Sequence, residues 1–238
     1  MSTSRRLHGV SRWLAGVLFS LVFLLPLPAG RAQDFDVDLA LIFAVDCSFS
    51  VDAREFKLQM EGLGRALMRD EIKTAISQGR RQRIAVAVVQ WSDDNSQAIT
   101  LPWTVISGGA DADEVGQILL RMTRMLAEGG TSISTALSYS ANFFVVAPSA
   151  ERRVIDVSSD GRNNIGPPVK PVRDRLVAQG ITINALTILN EWPTLDTYFE
   201  NNVVGGAGNF VLPANDYGDF GEAIYRKLLR EIAGPGIS

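Results

Sequence analysis

The sequence predicts an α/β domain with a mainly parallel central sheet, one antiparallel edge strand and helices on both faces. Three observations lead there. Near-continuous apolar runs of strand length recur at 37–45, 83–91 and 181–189, as expected of strands covered on both faces. Segments with apolar residues at helical intervals lie between them, so strands and crossover helices alternate. The chain has a single cysteine, Cys47, so no internal disulfide can form and an apolar core must hold the fold.

Each element is justified by its own residues. VDLALIFAV (37–45) is the first buried strand; Asp34, Asp36 and Asp38 alternate with Phe35, Val37 and Leu39, as in a half-exposed strand start. Asp52 and Glu55 have capping-box spacing, and Phe56, Met60, Leu63 and Leu67 follow at helical intervals. RIAVAVVQW (83–91) is a second buried strand. The turn-rich SDDNS (92–96) leads into AITLPW (98–103), paired back by a hairpin, with Pro102 suited to an edge. Asp93, Asp94 and Asn95 do not fit an EF-hand loop, so that turn reads as a solvated tip.

Val115, Ile118, Leu119, Met122 and Leu126 give one amphipathic helix; Ile133, Leu137, Ala141 and Phe144 give the next. RVIDVSSDG (153–161) is a strand ending in a loop. Val172 and Leu176 mark a helix that Gly180 stops, and ITINALTIL (181–189) is the following strand. Leu195, Tyr198 and Phe199 mark a short helix, GNFVLP (208–213) a last short strand, and Phe220, Ile224, Leu228 and Ile232 the closing helix. GGAG (205–208) lacks the full dinucleotide fingerprint, and neither a P-loop nor a Gly-x-Ser-x-Gly elbow occurs.

The first 32 residues read as a signal peptide. Arg5, Arg6 and Arg12 precede an apolar core from Trp13 to Leu27, and AGRA (29–32) supplies small residues for cleavage after Ala32. That core is short for a membrane span of roughly 20 residues, so cleavage is favoured over a retained anchor. The expectation is a periplasmic or secreted protein with a single domain over 33–238, its core about 36–233, and no stable membrane anchor. The only histidine, His8, and four arginines leave with the signal, so 19 basic residues face 26 acidic ones, a net charge of −7. Such a balance argues against nucleic acid or an anionic membrane as the main partner. The lack of histidine excludes Ser/His and Cys/His nucleophile pairs and histidine zinc sites.

Three loops carry the functional signal. AVDCSFSVD (44–52) places Asp46, Ser48 and Ser50 at alternate positions where the first strand ends; EGGTSIS (128–134) places Thr131 at a helix start; SSDGRNN (158–164) places Asp160 at a strand end. Singly, each is an ordinary turn or helix cap. Together, in this order, they lie at the carboxyl edge where parallel sheets bind ligands. Alternation turns Asp46, Ser48 and Ser50 to one side and sends Cys47 and Phe49 into the protein. Cys47 then reads as a small buried core residue. Asp156, inside a predicted buried strand, needs a hydrogen-bonding or basic partner and has a structural role.

From about residue 36 to residue 233 the chain resembles the von Willebrand factor type A (vWA) family, which includes integrin inserted domains and has a Rossmann-like fold. The resemblance rests on that family's metal-ion-dependent adhesion site (MIDAS), Asp-x-Ser-x-Ser followed by a distant Thr and a distant Asp. Asp46, Ser48, Ser50, Thr131 and Asp160 match it. A narrower resemblance is to uncharacterised proteobacterial exported vWA-like proteins. Hydroxyl and carboxylate oxygens are hard donors suited to Mg2+ or Mn2+. The resemblance implies that Ser48, Ser50 and Thr131 bind the ion directly, Asp46 and Asp160 through water, and that an open position accepts a Glu or Asp from a partner protein. The expected function is a non-enzymatic, metal-dependent protein-binding module. A magnesium-dependent hydrolase using the same site and a metal-free structural domain are the alternatives.

Overall fold

The structure, a computed structural model, describes residues 36–234. The predicted signal peptide with its cleavage point, His8 and Asp34 lie outside the described residues. The elements run β1 (Val37–Asp46), α1 (Ala53–Leu67), α2 (Asp70–Gln78), β2 (Ile84–Trp91), β3 (Gln97–Ile106), α3 (Gly109–Leu120), α4 (Ile133–Phe143), β4 (Ala150–Ser159), α5 (Val169–Ala178), β5 (Ile181–Ile188), α6 (Leu195–Asn202), β6 (Val211–Ala214) and α7 (Phe220–Ala233). The six strands form one sheet in the order β3-β2-β1-β4-β5-β6. Every pairing is parallel except the β2–β3 hairpin.

β1 occupies the middle of the sheet and is buried along its whole length. Its alternate residues feed two cores. Leu39, Leu41, Phe43 and Val45 meet the apolar faces of α1, α2, α3 and α7, while Ala40, Ile42 and Ala44 meet α4, α5 and α6. Each fully buried Leu, Ile or Phe contributes about 1.5–3 kcal/mol before entropy is counted, so these two layers are what fix the register. The smaller side chains of β1 on the second face leave room for Trp91 and Phe199, both fully buried. On the first face α1 and α3 approach closely: a Cβ on Gly64 would lie 2.7 Å from the Gly116 carbonyl.

Local signals account for the element ends. The Asp52–Glu55 capping box forms in both directions, Asp52 accepting from the Glu55 amide and Glu55 from the Asp52 amide. Gly180 takes φ +75°, the left-handed geometry that ends α5. The register of β2 against β3 shifts around Val88, and the extra residues on β3 flank Pro102, which cannot donate to a ladder.

Some expectations require correction. The helix carrying Val115 and Leu119 ends at Leu120, not Leu126; Met122 and Leu126 pack on the core from a loop, and Ile118 is exposed. A separate helix, α2, follows α1. Asp38 is turned inward, where its carboxylate accepts the Arg81 and Arg83 amides and ties down the turn before β2. Asp156 finds its partner on α7. Lys227, fully buried, places Nζ 2.6 Å from Asp156 and 2.6 Å from Glu231. Asn184 donates to the same Glu231 oxygen at 2.7 Å. Burial, then the Glu231 charge, pushes the Asp156 carboxyl up to about 7 against the pull of Lys227.

Candidate metal centre

Asp46 is the last residue of the central strand, and the backbone turns immediately after it. Its Oδ1 accepts the Ser48 amide at 2.7 Å, the short local bond that shapes the turn. Ser159, at the end of the neighbouring strand β4, donates its hydroxyl to Asp46 Oδ2. Ser48 Oγ and Ser50 Oγ are 3.2 Å apart, and Ser50 donates to Asp160 Oδ1 at 2.6 Å. Tyr217, ahead of α7, donates to the other Asp160 oxygen at 3.0 Å. Asp46, Ser48, Ser50 and Asp160 therefore sit in one continuous hydrogen-bonded chain.

Thr131 enters from the loop before α4. The Phe49 amide donates to the Gly129 carbonyl at 2.9 Å, which joins the first and second loops. Asn164 brackets Thr131, its side-chain oxygen accepting the Thr131 amide at 2.8 Å and its own amide donating to the Thr131 carbonyl at 2.9 Å. Thr131 Oγ1 lies 3.3 Å from where a Cβ on Gly161 would stand, so the second and third loops also touch. Gly130 is required by this approach, since a Cβ there would come within 2.9 Å of Ile165. Ser50, Thr131 and Gly161 line one open cleft with Phe49, Arg162, Asn164, Glu191 and Trp192.

The electrostatics are unbalanced. Asp46 and Asp160 are both fully buried, and neither has an ion pair with lysine or arginine among the described residues. Burial, then the charge of Asp160, pushes Asp46 up to about 7, although Ser159 and Ser48 donate to it. Burial also raises Asp160, against donation from Ser50 and Tyr217. Tyr217 is itself driven upward by burial and the Asp160 charge, so it stays a phenol and a donor. Burying a carboxylate is costly unless positive charge compensates it, and no side chain among the described residues pairs with either to supply that charge. Among the described residues no three His, Cys, Asp or Glu side chains gather at metal-ligand spacing. A cation would have to be held by the hydroxyls with the two aspartates. Such a hard-oxygen set fits Mg2+ or Mn2+.

Four supporting residues escaped the sequence pattern. Ser159 and Tyr217 fix the two carboxylates, and Asn164 fixes Thr131. Arg124 lies on the loop after α3 and spreads its guanidinium over the carbonyls of Cys47, Ser48 and Val51, while its Nε donates to Leu126. It pins the loop after β1 from beneath. The SSD sequence offered a signal for Ser159, since a hydroxyl directly precedes Asp160; nothing local marks Arg124 or Tyr217.

Cys47 is fully buried, and burial followed by the Asp46 charge pushes its thiol up to about 12, so it stays protonated and unreactive. Phe49 overturns the expectation that it points inward. It is 76% exposed, at the lip of the cleft. Asp93 of the hairpin turn packs beside Gly129, 3.0 Å from where a Cβ there would stand, so the turn buttresses the second loop.

A sheet of this order, with one antiparallel edge and a site at the carboxyl end of its central strand, defines a vWA-like α/β domain of Rossmann type. A vWA domain from Catenulispora acidiphila matches it with a TM-score of 0.54 at 18% identity, over 85% of this chain and 44% of that one. Proximal thread matrix protein 1 from the mussel byssus matches with a TM-score of 0.63 at 18% identity, over 85% of this chain and 50% of the other. That mussel protein has also been solved with a zinc-occupied MIDAS motif. The pilus adhesin SpaC from Lactobacillus rhamnosus GG matches with a TM-score of 0.59 at 12% identity, over 84% of this chain and 31% of SpaC. The chain thus spans about half the length of the mussel protein, and identities this low carry the fold alone. No curated protein matches. The chain belongs to the DUF1194 family, proteins of unknown function, whose model matches residues 36–236.

Proposed function

We propose that this protein is an exported, metal-dependent protein-binding module that holds Mg2+ or Mn2+ and captures an acidic side chain of a protein partner. One observation carries the proposal: two buried carboxylates, Asp46 and Asp160, lie beside the hydroxyls of Ser48 and Ser50 with no cationic side chain paired to them among the described residues. In this assignment Ser48, Ser50 and Thr131 are the direct ligands, while Asp46 and Asp160 act through water and supply the negative charge. The ion, when bound, supplies positive charge and a coordination position that a carboxylate can fill. Ser159 and Tyr217 keep the two aspartates oriented, and Arg124 and Asn164 hold the loops.

Binding rather than catalysis is favoured by the residues around the cleft. Arg162 donates to Thr194 and stacks against Trp192, and Glu191 is the acid that lines the cleft itself, with Glu55 close enough to feel its charge and that of Asp160. None of these contacts places a general base against a water position at the metal. SpaC, part of which shares this fold, is a pilus adhesin, and the mussel protein has been solved with a zinc-occupied MIDAS motif; both support the same direction. Calorimetric titration with Mg2+ and Mn2+ tests it: the native protein should bind and Asp46→Ala should not. Equal heats from both would reject the site. A partner retained from periplasmic extract only with metal, and only by the native chain, would establish capture.

A further inference from the structure

An exposed phenylalanine between two candidate ligands is an unusual choice for a surface loop. Phe49 is 76% exposed and Trp192 is 49% exposed, and both line the cleft that contains Ser50 and Thr131. Ile165, 36% exposed, sits against Gly130 on the same side. Scattered exposed apolar residues are ordinary on a protein surface. Two exposed aromatic rings lining one cleft, with Ile165 behind its Gly130 wall, mark a contact surface.

The lip is also held in place. The Phe49 backbone is held by its N–H, which donates to the Gly129 carbonyl. Trp192 is backed by the Arg162 guanidinium, 5.0 Å from its ring, and Arg162 in turn lies 5.5 Å from the Tyr198 ring. A ring backed as Trp192 is loses little entropy on binding, and aromatic side chains are enriched among the residues that dominate interface energetics.

The charges around the lip select among neighbours for the captured carboxylate. A cationic neighbour seated on Trp192 would meet Arg162 already stacked there. A second acidic neighbour would meet Glu191 on the rim and the Asp52–Glu55 pair at the start of α1. An apolar neighbour is repelled by neither. We infer that the partner is a protein segment whose acidic residue is flanked by a large apolar side chain, which packs between Phe49 and Trp192. This rests on the metal-dependent capture proposed above and specifies which carboxylates are accepted.

Four acetylated, amidated pentapeptides with a central glutamate flanked on both sides by Phe, Leu, Ala or Lys test the inference, titrated into the protein in Mg2+ and in EDTA. The Phe- and Leu-flanked peptides should bind at least about tenfold more tightly than the Ala-flanked one, the difference expected for one buried apolar side chain. Trp192→Ser and Phe49→Ser should each erase most of that preference, and titrating Mg2+ into the same variants reports separately on the metal site. Equal binding of all four peptides, preference for Lys, or no peptide binding by protein that takes up Mg2+ would each overturn the inference while sparing the metal site. Failure to take up Mg2+ would remove both. An apolar preference that persists undiminished in EDTA would retain the lip but refute its dependence on the cation.

Discussion

Replacing Asp156 with asparagine should stabilise the protein at alkaline pH. Asp156, Lys227 and Glu231 form a buried cluster of two carboxylates and one ammonium, with both contacts at 2.6 Å. Ionising both acids leaves a surplus negative charge in the core, and the Asp156 carboxyl is accordingly pushed up to about 7. Its ordinary value is 3.8. Between about pH 4 and pH 7 the folded state therefore holds a proton that the unfolded chain has released. The stability contributed by that proton is fully present below pH 4 and is lost as pH rises through 7. A rise of this size corresponds to about 4 kcal/mol, an upper figure because the cluster titrates as a unit. The substituted amide would keep an acceptor for Lys227 without needing the proton. Urea unfolding at pH 5 and pH 8 gives the measurement. The advantage of Asp156→Asn over the native protein should grow by up to about 3 kcal/mol between the two, the part of the span that lies between pH 5 and 7. An advantage independent of pH would refute the surplus-charge account.

Other expectations follow from the same structure. Lys227→Met should cost about 3–5 kcal/mol, because it strands two buried carboxylates; circular dichroism melts report it. Saturating Mg2+ should stabilise the native protein by about 2.7 kcal/mol at a hundredfold excess over Kd, and Asp46→Ala should abolish the shift in Tm. Because Asp46 is raised to about 7 in the metal-free protein, protons compete with the cation, and Mg2+ affinity should fall by up to about tenfold per pH unit below 7. Arg124→Ala should weaken metal binding and lower stability by about 3 kcal/mol, since charge-assisted bonds to three loop carbonyls are lost; calorimetry and urea unfolding separate the two effects. A phosphatase screen in Mn2+ should find no activity, and turnover abolished by Asp46→Ala would instead favour the hydrolase.

Much of the architecture is legible in the sequence because its physics is local. Buried parallel strands announce themselves as unbroken apolar runs, and the Asp52–Glu55 cap has a fixed spacing. The end of α3 is not legible, because Met122 and Leu126 continue the helical period yet reach the core from a loop. Their loop departs where Arg124 must turn toward the carbonyls of β1's loop, a long-range demand that periodicity does not register. The same holds at the site. The five proposed oxygen donors are recognisable by type and order, whereas Tyr217 reaches Asp160 across 57 positions of chain and Arg124 reaches the Cys47 carbonyl across 77. Lys227 reads as one more charge in the RKLLRE segment, and only the packing of α7 turns it toward Asp156. Strict alternation misplaces Phe49 because it presumes an extended backbone, and the chain has already turned after Asp46.

The proline-interrupted margins of the sheet bear on how anything can attach to it. β3, on one flank, carries Pro102 within its bulged stretch, and β6, on the other, is four residues long and contains Pro213. Neither flank offers an uninterrupted ladder to an incoming strand. Edge-to-edge polymerisation through the sheet is thereby discouraged, and end-on recognition through the loops is left as the unobstructed approach.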